Sequence, residues 1–139
     1  MKIFLDANVL ISVLNKEYPV FSHSARVLSL ADSSSYQLCT STICLAIAFY
    51  FAEKKSGAKK AKEKISILIS KIDIVESNKK VAMQAAKDKQ VLDFEDGLEY
   101  YSALHSGCKY IITEDVNDFH FSNIGVVTSE QFMTQIIAK

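Results

Sequence analysis

Three observations predict an α/β fold built on a mostly parallel, five-stranded sheet flanked by helices. Short β-branched or apolar runs alternate with longer stretches of helical period along the chain. The first run, Ile3-Phe4-Leu5, is unbroken rather than alternating, the pattern of a strand covered on both faces. Acidic residues follow the first and fourth strand-like runs, as expected where strand ends open onto a ligand crevice. The chain has 139 residues, 49% of them hydrophobic, with 16 Lys+Arg matched by 16 Asp+Glu. One domain, residues 1–139, is therefore expected, with enough core to need neither disulfides nor a structural metal. Disorder is excluded by the same figures, and no apolar run approaches the ~20 residues of a membrane span. Zero net charge provides no whole-chain basic field, so nucleic-acid binding would rest on local charge.

Taken in order, Ile3-Phe4-Leu5 is the first strand, and after Asp6 comes a helix carrying Val9, Leu10, Val13 and Leu14, which Asn8 can cap. Pro19 interrupts, and a second helix from about Phe21 to Ala31 turns Ala25, Val27 and Leu28 inward before the turn Asp32-Ser33-Ser34-Ser35. Tyr36-Gln37-Leu38-Cys39-Thr40 reads as the second strand. Ser41 or Thr42 then caps an apolar helix through Phe51, expected to be nearly buried. Between Lys54 and Lys64 the composition shifts to lysine, with Gly57 dividing two helices, the second carrying Ala61, Ile65, Leu68 and Ile69 on one stripe. Ile72-Asp73-Ile74-Val75 is the third strand, and Ser77 or Asn78 caps a helix whose small inner residues, Ala82, Ala85 and Ala86 beside Val81, imply close packing. Asp93 stands as N-cap of a helix from about Phe94 to His105, stopped at Gly107. Tyr110-Ile111-Ile112 and Val126-Val127 complete the five strands, and Thr128-Ser129-Glu130-Gln131 is a capping box opening the last helix.

Cys39, Cys44 and Cys108 are odd in number and contain no CxxC pair, which fits reduced thiols in the core of a cytoplasmic protein. Met1-Lys2-Ile3-Phe4-Leu5-Asp6 meets a charge too early for a signal peptide. His105 and Cys108 lack the two further ligands that a zinc site needs, and His23 and His120 have no spacing partner.

Chemistry is expected where strands end. Asp6 follows the first strand, Asp115 and Asp118 follow the fourth, and Asp93, Glu95 and Asp96 open the helix before it. If the first and fourth strands are neighbours, carboxylates from three distant segments converge, and their repulsion demands a cation or bound protons. Oxygen donors without His or Cys suit Mg²⁺ or Mn²⁺, ions that bridge protein carboxylates to phosphate, so phosphodiester chemistry with a metal-activated water is expected. Several of these residues have structural roles open to them. Asp6 suits a turn, Asp93 suits a cap, and Glu95 points to another side of the helix from Asp96. Phe119 can anchor the loop that carries Asp118. Lys54, Lys55, Lys59, Lys60, Lys62 and Lys64 could track an RNA backbone, but a solvated face interspersed with Glu53 and Glu63 explains them as well. Phe49, Tyr50, Phe51, Tyr100 and Tyr101 are expected in the core by default, with a dimer surface as the other reading, rather than as base-stacking platforms. Asn8 caps the first helix or orients Asp6.

The segments Phe4-Leu5-Asp6-Ala7-Asn8-Val9-Leu10, Asp93-Phe94-Glu95-Asp96 and Tyr110-Ile111-Ile112-Thr113-Glu114-Asp115-Val116-Asn117-Asp118-Phe119, in this order, resemble the successive motifs of the PIN domain family. The likeness extends to Val126–Phe132. It implies a three-layer sandwich and a Mg²⁺- or Mn²⁺-dependent ribonuclease, with Asp6, Asp96 and Asp115 as catalytic metal ligands and Asp118 as a further ligand. It also implies an RNA substrate and, by likeness to VapC-type bacterial toxins, a homodimer inhibited by an antitoxin protein. One departure stands out: where the family commonly places a glutamate after Leu-Ala, this chain has Ile47. Two readings follow, compensation by Asp93 or Glu95, or a PIN-fold RNA- or protein-binding module with weak or lost turnover.

Overall fold

A computed structural model describes residues 1–138; residue 139 lies outside the described residues. Strand β1 (Lys2–Leu5) leads into α1 (Ala7–Leu14) and α2 (Val20–Ser29), and β2 (Gln37–Ser41) into α3 (Thr42–Ser56) and α4 (Ala58–Lys71). After β3 (Asp73–Val75) come α5 (Lys79–Lys87) and α6 (Phe94–His105). Then follow β4 (Tyr110–Ile112), β5 (Gly125–Val127), the single turn α7 (Ser129–Gln131) and a π-helical turn, Phe132–Ile137.

The strands pair in the order β3-β2-β1-β4-β5, and all four pairings are parallel, so the sheet is wholly rather than mostly parallel. Its central strand, β1, is sealed from solvent over three consecutive apolar residues. Ile3, Phe4 and Leu5 are fully buried, as a strand covered by helices on both faces requires. The chain winds outward through β2 and β3, then returns to lay β4 on the free side of β1. The order reverses between β1 and β4, and the crevice of a doubly wound sheet opens beyond the carboxyl ends of such a pair. Leu5 lies opposite Ile112, and the Asp6 N–H continues the ladder to the Ile112 carbonyl at 3.0 Å. Asp6 and Thr113 therefore leave the sheet side by side, although 107 positions apart.

Most helix ends follow the local chemistry expected of them. Ser41 accepts from the Cys44 N–H, Asn78 from Val81 and Asp93 from Glu95, while Thr128 and Gln131 close a full capping box. Gly57 and Gly107 stand at φ +85° and +79°, the left-handed conformation that glycine adopts freely after a helix. One cap differs from expectation. The Asp6 side chain, not Asn8, caps α1 by accepting from the Ala7 N–H, because Asn8 already lies within the helix and its amide reaches across to the β4 loop.

Helices α1 to α4 pack as one group and α5 with α6 as another, and the first turn of α3 meets α6 beyond the strand ends. The α5–α6 contact is set by the absence of a side chain: a Cβ on Gly97 would stand 2.6 Å from Val91 Cγ1 and 3.1 Å from Ala85 Cβ. The Gly97→Ala variant gains up to about 1 kcal/mol in helix propensity but incurs about 1–3 kcal/mol of overpacking. A net loss of about 1–2 kcal/mol is expected, read as a lower urea midpoint with an unchanged slope.

Candidate functional site

At the carboxyl end of β1, Asp6 is 7% exposed and each of its oxygens is held. Oδ1 accepts from the Ala7 N–H at 2.6 Å, and Oδ2 accepts from the Thr113 hydroxyl at 2.7 Å. That hydroxyl in turn accepts from the Asp115 N–H at 3.0 Å. The Asn8 amide donates to Thr113 Oγ1 and to Asp115 Oδ2, each at 3.1 Å, while its own carbonyl accepts from the Glu114 N–H at 3.1 Å. Asp6 and Asp115 are thus positioned by one network spanning the ends of β1 and β4. Asn8 orients the acids rather than capping the helix.

A carboxylate that the sequence reading passed over completes the buried part. Glu99, on α6, is only 3% exposed, and its Oε1 accepts from the Cys44 thiol at 2.9 Å. Asp6, Cys44 and Glu99 each bring one possible ligand atom within 4.8 Å of the others. The sequence did carry a signal: Glu99 lies three residues after Asp96 and beside Tyr100 and Ala103, on the stripe of α6 that faces inward. Burial, a hydrogen bond shared with Asp6 and the nearby Cys44 push the Glu99 carboxyl far above the usual carboxylate range, so it holds its proton. Burial, and then the charge of Asp6, likewise raise the Cys44 thiol. The three cysteines are buried core residues as expected, but Cys44 adds a thiol to a neighbourhood expected to hold oxygen donors alone.

Asp96 lines a small pocket of about 160 Å³ with Leu92, Asp93, Asn117, Asp118 and His120. Asp118 is exposed, on a 3₁₀ turn pinned by buried Phe119. Asp93 serves as N-cap, and neither it nor Glu95 is buried; position 47, where the resemblance led to a glutamate, holds a half-buried isoleucine packed on the core. Glu114 caps α7 by accepting from the Ser129 N–H and hydroxyl. His105 pairs with Gln84 and Cys108 with Cys39.

Three of the six lysines have structural partners, Lys54 over the Tyr50 ring and two at the end of α1. Lys55 donates to the Asn15 carbonyl and Lys64 to the Leu14 carbonyl, neutralising the C-terminal end of α1. The aromatic expectation needs correction: Tyr100 is core, but Tyr50 and Phe51 are exposed, because α3 is apolar around its whole circumference and only one side finds a partner.

With this geometry established, the known proteins can be placed beside it. The PIN domain family matches residues 2–117. The chain belongs to the PIN domain family. A PIN relative, "Ribonuclease VapC1" of Aquifex aeolicus, is 27% identical over 135 residues, covering 94% of this chain and 92% of its own. Among solved structures, VapBC-1 from nontypeable Haemophilus influenzae matches with a TM-score of 0.71 at 18% identity over 94% of this chain and 99% of the other. VapBC2 from Rickettsia felis, bound to a promoter DNA fragment, matches with 0.68 at 17% identity over 91% and 97%.

As a PIN domain the chain is expected to hold a divalent cation, and its residues fit one. Carboxylates from β1, α6 and the β4 loop gather with no Lys, Arg or His in ion-pair contact among the described residues, which leaves protons or a cation to relieve the repulsion. Asp96 records this strain: burial first, then Asp93, Asp118, Asp6 and Glu95, raise its pKa from 3.8 to about 7. Because the folded value lies above the unfolded one, the folded state binds more protons in between. The stability conferred by protonated Asp96 is complete below about pH 4 and is lost as pH rises to about 7. In chelator-treated protein, Asp96→Asn should therefore melt with the wild type near pH 4 and increasingly above it towards pH 8. A melting-temperature difference independent of pH would contradict the assignment.

Proposed function

We propose that this PIN domain is a Mg²⁺- or Mn²⁺-dependent endoribonuclease, the toxin of a toxin–antitoxin pair, acting as a cytoplasmic homodimer restrained by an antitoxin protein. The observation that carries the reading is the gathering of Asp6, Asp96 and Asp115 at the reversal point of the sheet with no ion-pair partner among the described residues. The Aquifex relative is named a ribonuclease, and the solved relatives are VapBC assemblies, which supports both the activity and the antitoxin. No described helix is long and apolar enough to cross a membrane.

Asp6 and Asp96 are the residues to hold the ion, with Asp115 and Asp118 completing the ligand set from the exposed rim. When bound, the cation supplies charge neutralisation at the scissile phosphate and a lowered pKa for water, the two needs of phosphodiester hydrolysis. The protein's own part is positioning. Thr113 and the Ala7 N–H fix the Asp6 carboxylate, and Asn8 ties Asp115 to the same frame, so the acids stay put while substrate enters. Hard oxygen donors favour Mg²⁺ and Mn²⁺, and the exposed lysines not engaged at the end of α1 offer local contacts to the RNA backbone.

Cleavage of single-stranded RNA with Mn²⁺ is the test. Chelation should abolish it, and Asp6→Asn should lower the rate by about a hundredfold or more, on the scale of losing an electrostatic group at a transition state. A rate indifferent to Asp6→Asn and to chelator would refute the reading; RNA binding without cleavage would instead favour the module that has lost turnover. In thermal melts, Mn²⁺ at about a hundred times its dissociation constant should stabilise wild type by about 2.7 kcal/mol and leave Asp6→Asn unmoved.

A further inference from the structure

We propose that Glu99 is a metal ligand of this centre, supplied by α6 and held in place by the thiol of Cys44. The inference rests on the divalent-cation reading above and adds to it a residue that neither the motif likeness nor the strand-end rule selects. Three observations carry it. Glu99 is the most deeply buried carboxylate of the described chain, and its Oε1 is fixed by Cys44 rather than by any basic group. Its possible ligand atom, that of Asp6 and the Cys44 sulfur all lie within 4.8 Å of one another. Two oxygens on one Mg²⁺-sized ion, each about 2.1 Å from it, stand at most about 4.2 Å apart, so small side-chain adjustments let one ion reach both carboxylates. Asp96 and Glu99 are three residues apart on α6 and thus share one side of the helix, turning a pair of acids towards Asp6.

A purely structural role accounts poorly for the residue. At a sealed position in contact with another acid, a glutamine or methionine would fill the same volume without the desolvation of an ionisable group. Helix α3, which meets α6 here, brings a thiol at position 44 and an aliphatic side chain at 47, so on this side Glu99 supplies the oxygen donor. Cys44 is assigned as a positioning residue, since its hydrogen bond orients the Glu99 carboxylate.

The experiment is Mn²⁺ titration, by calorimetry or by loss of the free-ion paramagnetic resonance signal, of wild type, Asp6→Asn and Glu99→Gln, alongside metal-free melts. Glu99→Gln keeps the shape and the hydrogen bonding. It should weaken Mn²⁺ by more than about a hundredfold, beyond the roughly 10–100-fold that loss of an outer partner costs. Its metal-free melting temperature should equal or exceed wild type, because a buried acid facing Asp6 has been removed. Glu99→Met, of similar volume and with no oxygen, should weaken Mn²⁺ in the same way and serves if the glutamine variant folds poorly. Wild type that binds Mn²⁺ while Glu99→Gln and Glu99→Met bind it within about twofold would overturn the assignment of Glu99 and leave the cation reading standing. Failure of wild type itself to bind Mn²⁺ would overturn both. A lowered metal-free melting temperature with an unchanged Mn²⁺ affinity would mark Glu99 as structural.

Discussion

The repulsion among carboxylates at one end of the sheet is the constraint on which the rest of the structure depends. Asp6 and Glu99 face each other away from water, Asp96 stands close enough to feel both Asp6 and Asp118, and no lysine or arginine of the described chain is placed among them. In the protein alone the charge is relieved by protons, on Glu99 fully and on Asp96 around neutrality. A site that must hold protons against burial can hold a dication in their stead, and the same energetic cost that weakens the metal-free fold becomes affinity for the ion.

The scaffold answers that cost with order. A wholly parallel sheet needs long crossovers, and those crossovers let residues from opposite ends of the chain meet in one crevice. At the meeting point every polar atom near Asp6 is given a partner: Thr113 both donates and accepts, Asn8 spans three groups, and the start of α1 contributes a backbone N–H. Asp115 and Asp118 stay exposed, where their solvation is cheap. On the proposed reading the buried acids would hold the ion, and the exposed acids would complete its ligand set at the opening.

Much of this was readable in the chain because it is local chemistry. Strand β1 shows itself by three consecutive apolar residues, Ser41, Asn78 and Asp93 by cap positions, and Thr128 with Gln131 by a reciprocal pattern that needs only four residues. Asp6, Asp96 and Asp115 stand out in the chain because strand ends and motif order mark them, and the structure ties Asp6 and Asp115 into one hydrogen-bond network. The misreadings come from tertiary contacts. Between capping and orienting, Asn8 is undecided until the β4 loop arrives beside it, and Glu99 draws no notice in the sequence because its burial depends on α3 closing over it with Cys44. Tyr50 and Phe51 read as core because a single chain of apolar residues does not say which side of α3 meets a partner.

The central claim, a dication held where β1, α6 and the β4 loop converge, is tested most directly by anomalous diffraction from a crystal soaked in Mn²⁺. The account predicts one dominant anomalous peak within ligand distance of Asp6 and of at least one α6 carboxylate, about 2–2.3 Å from their oxygens. A dominant peak on another surface, or none beside Asp6 at saturating Mn²⁺, would contradict it.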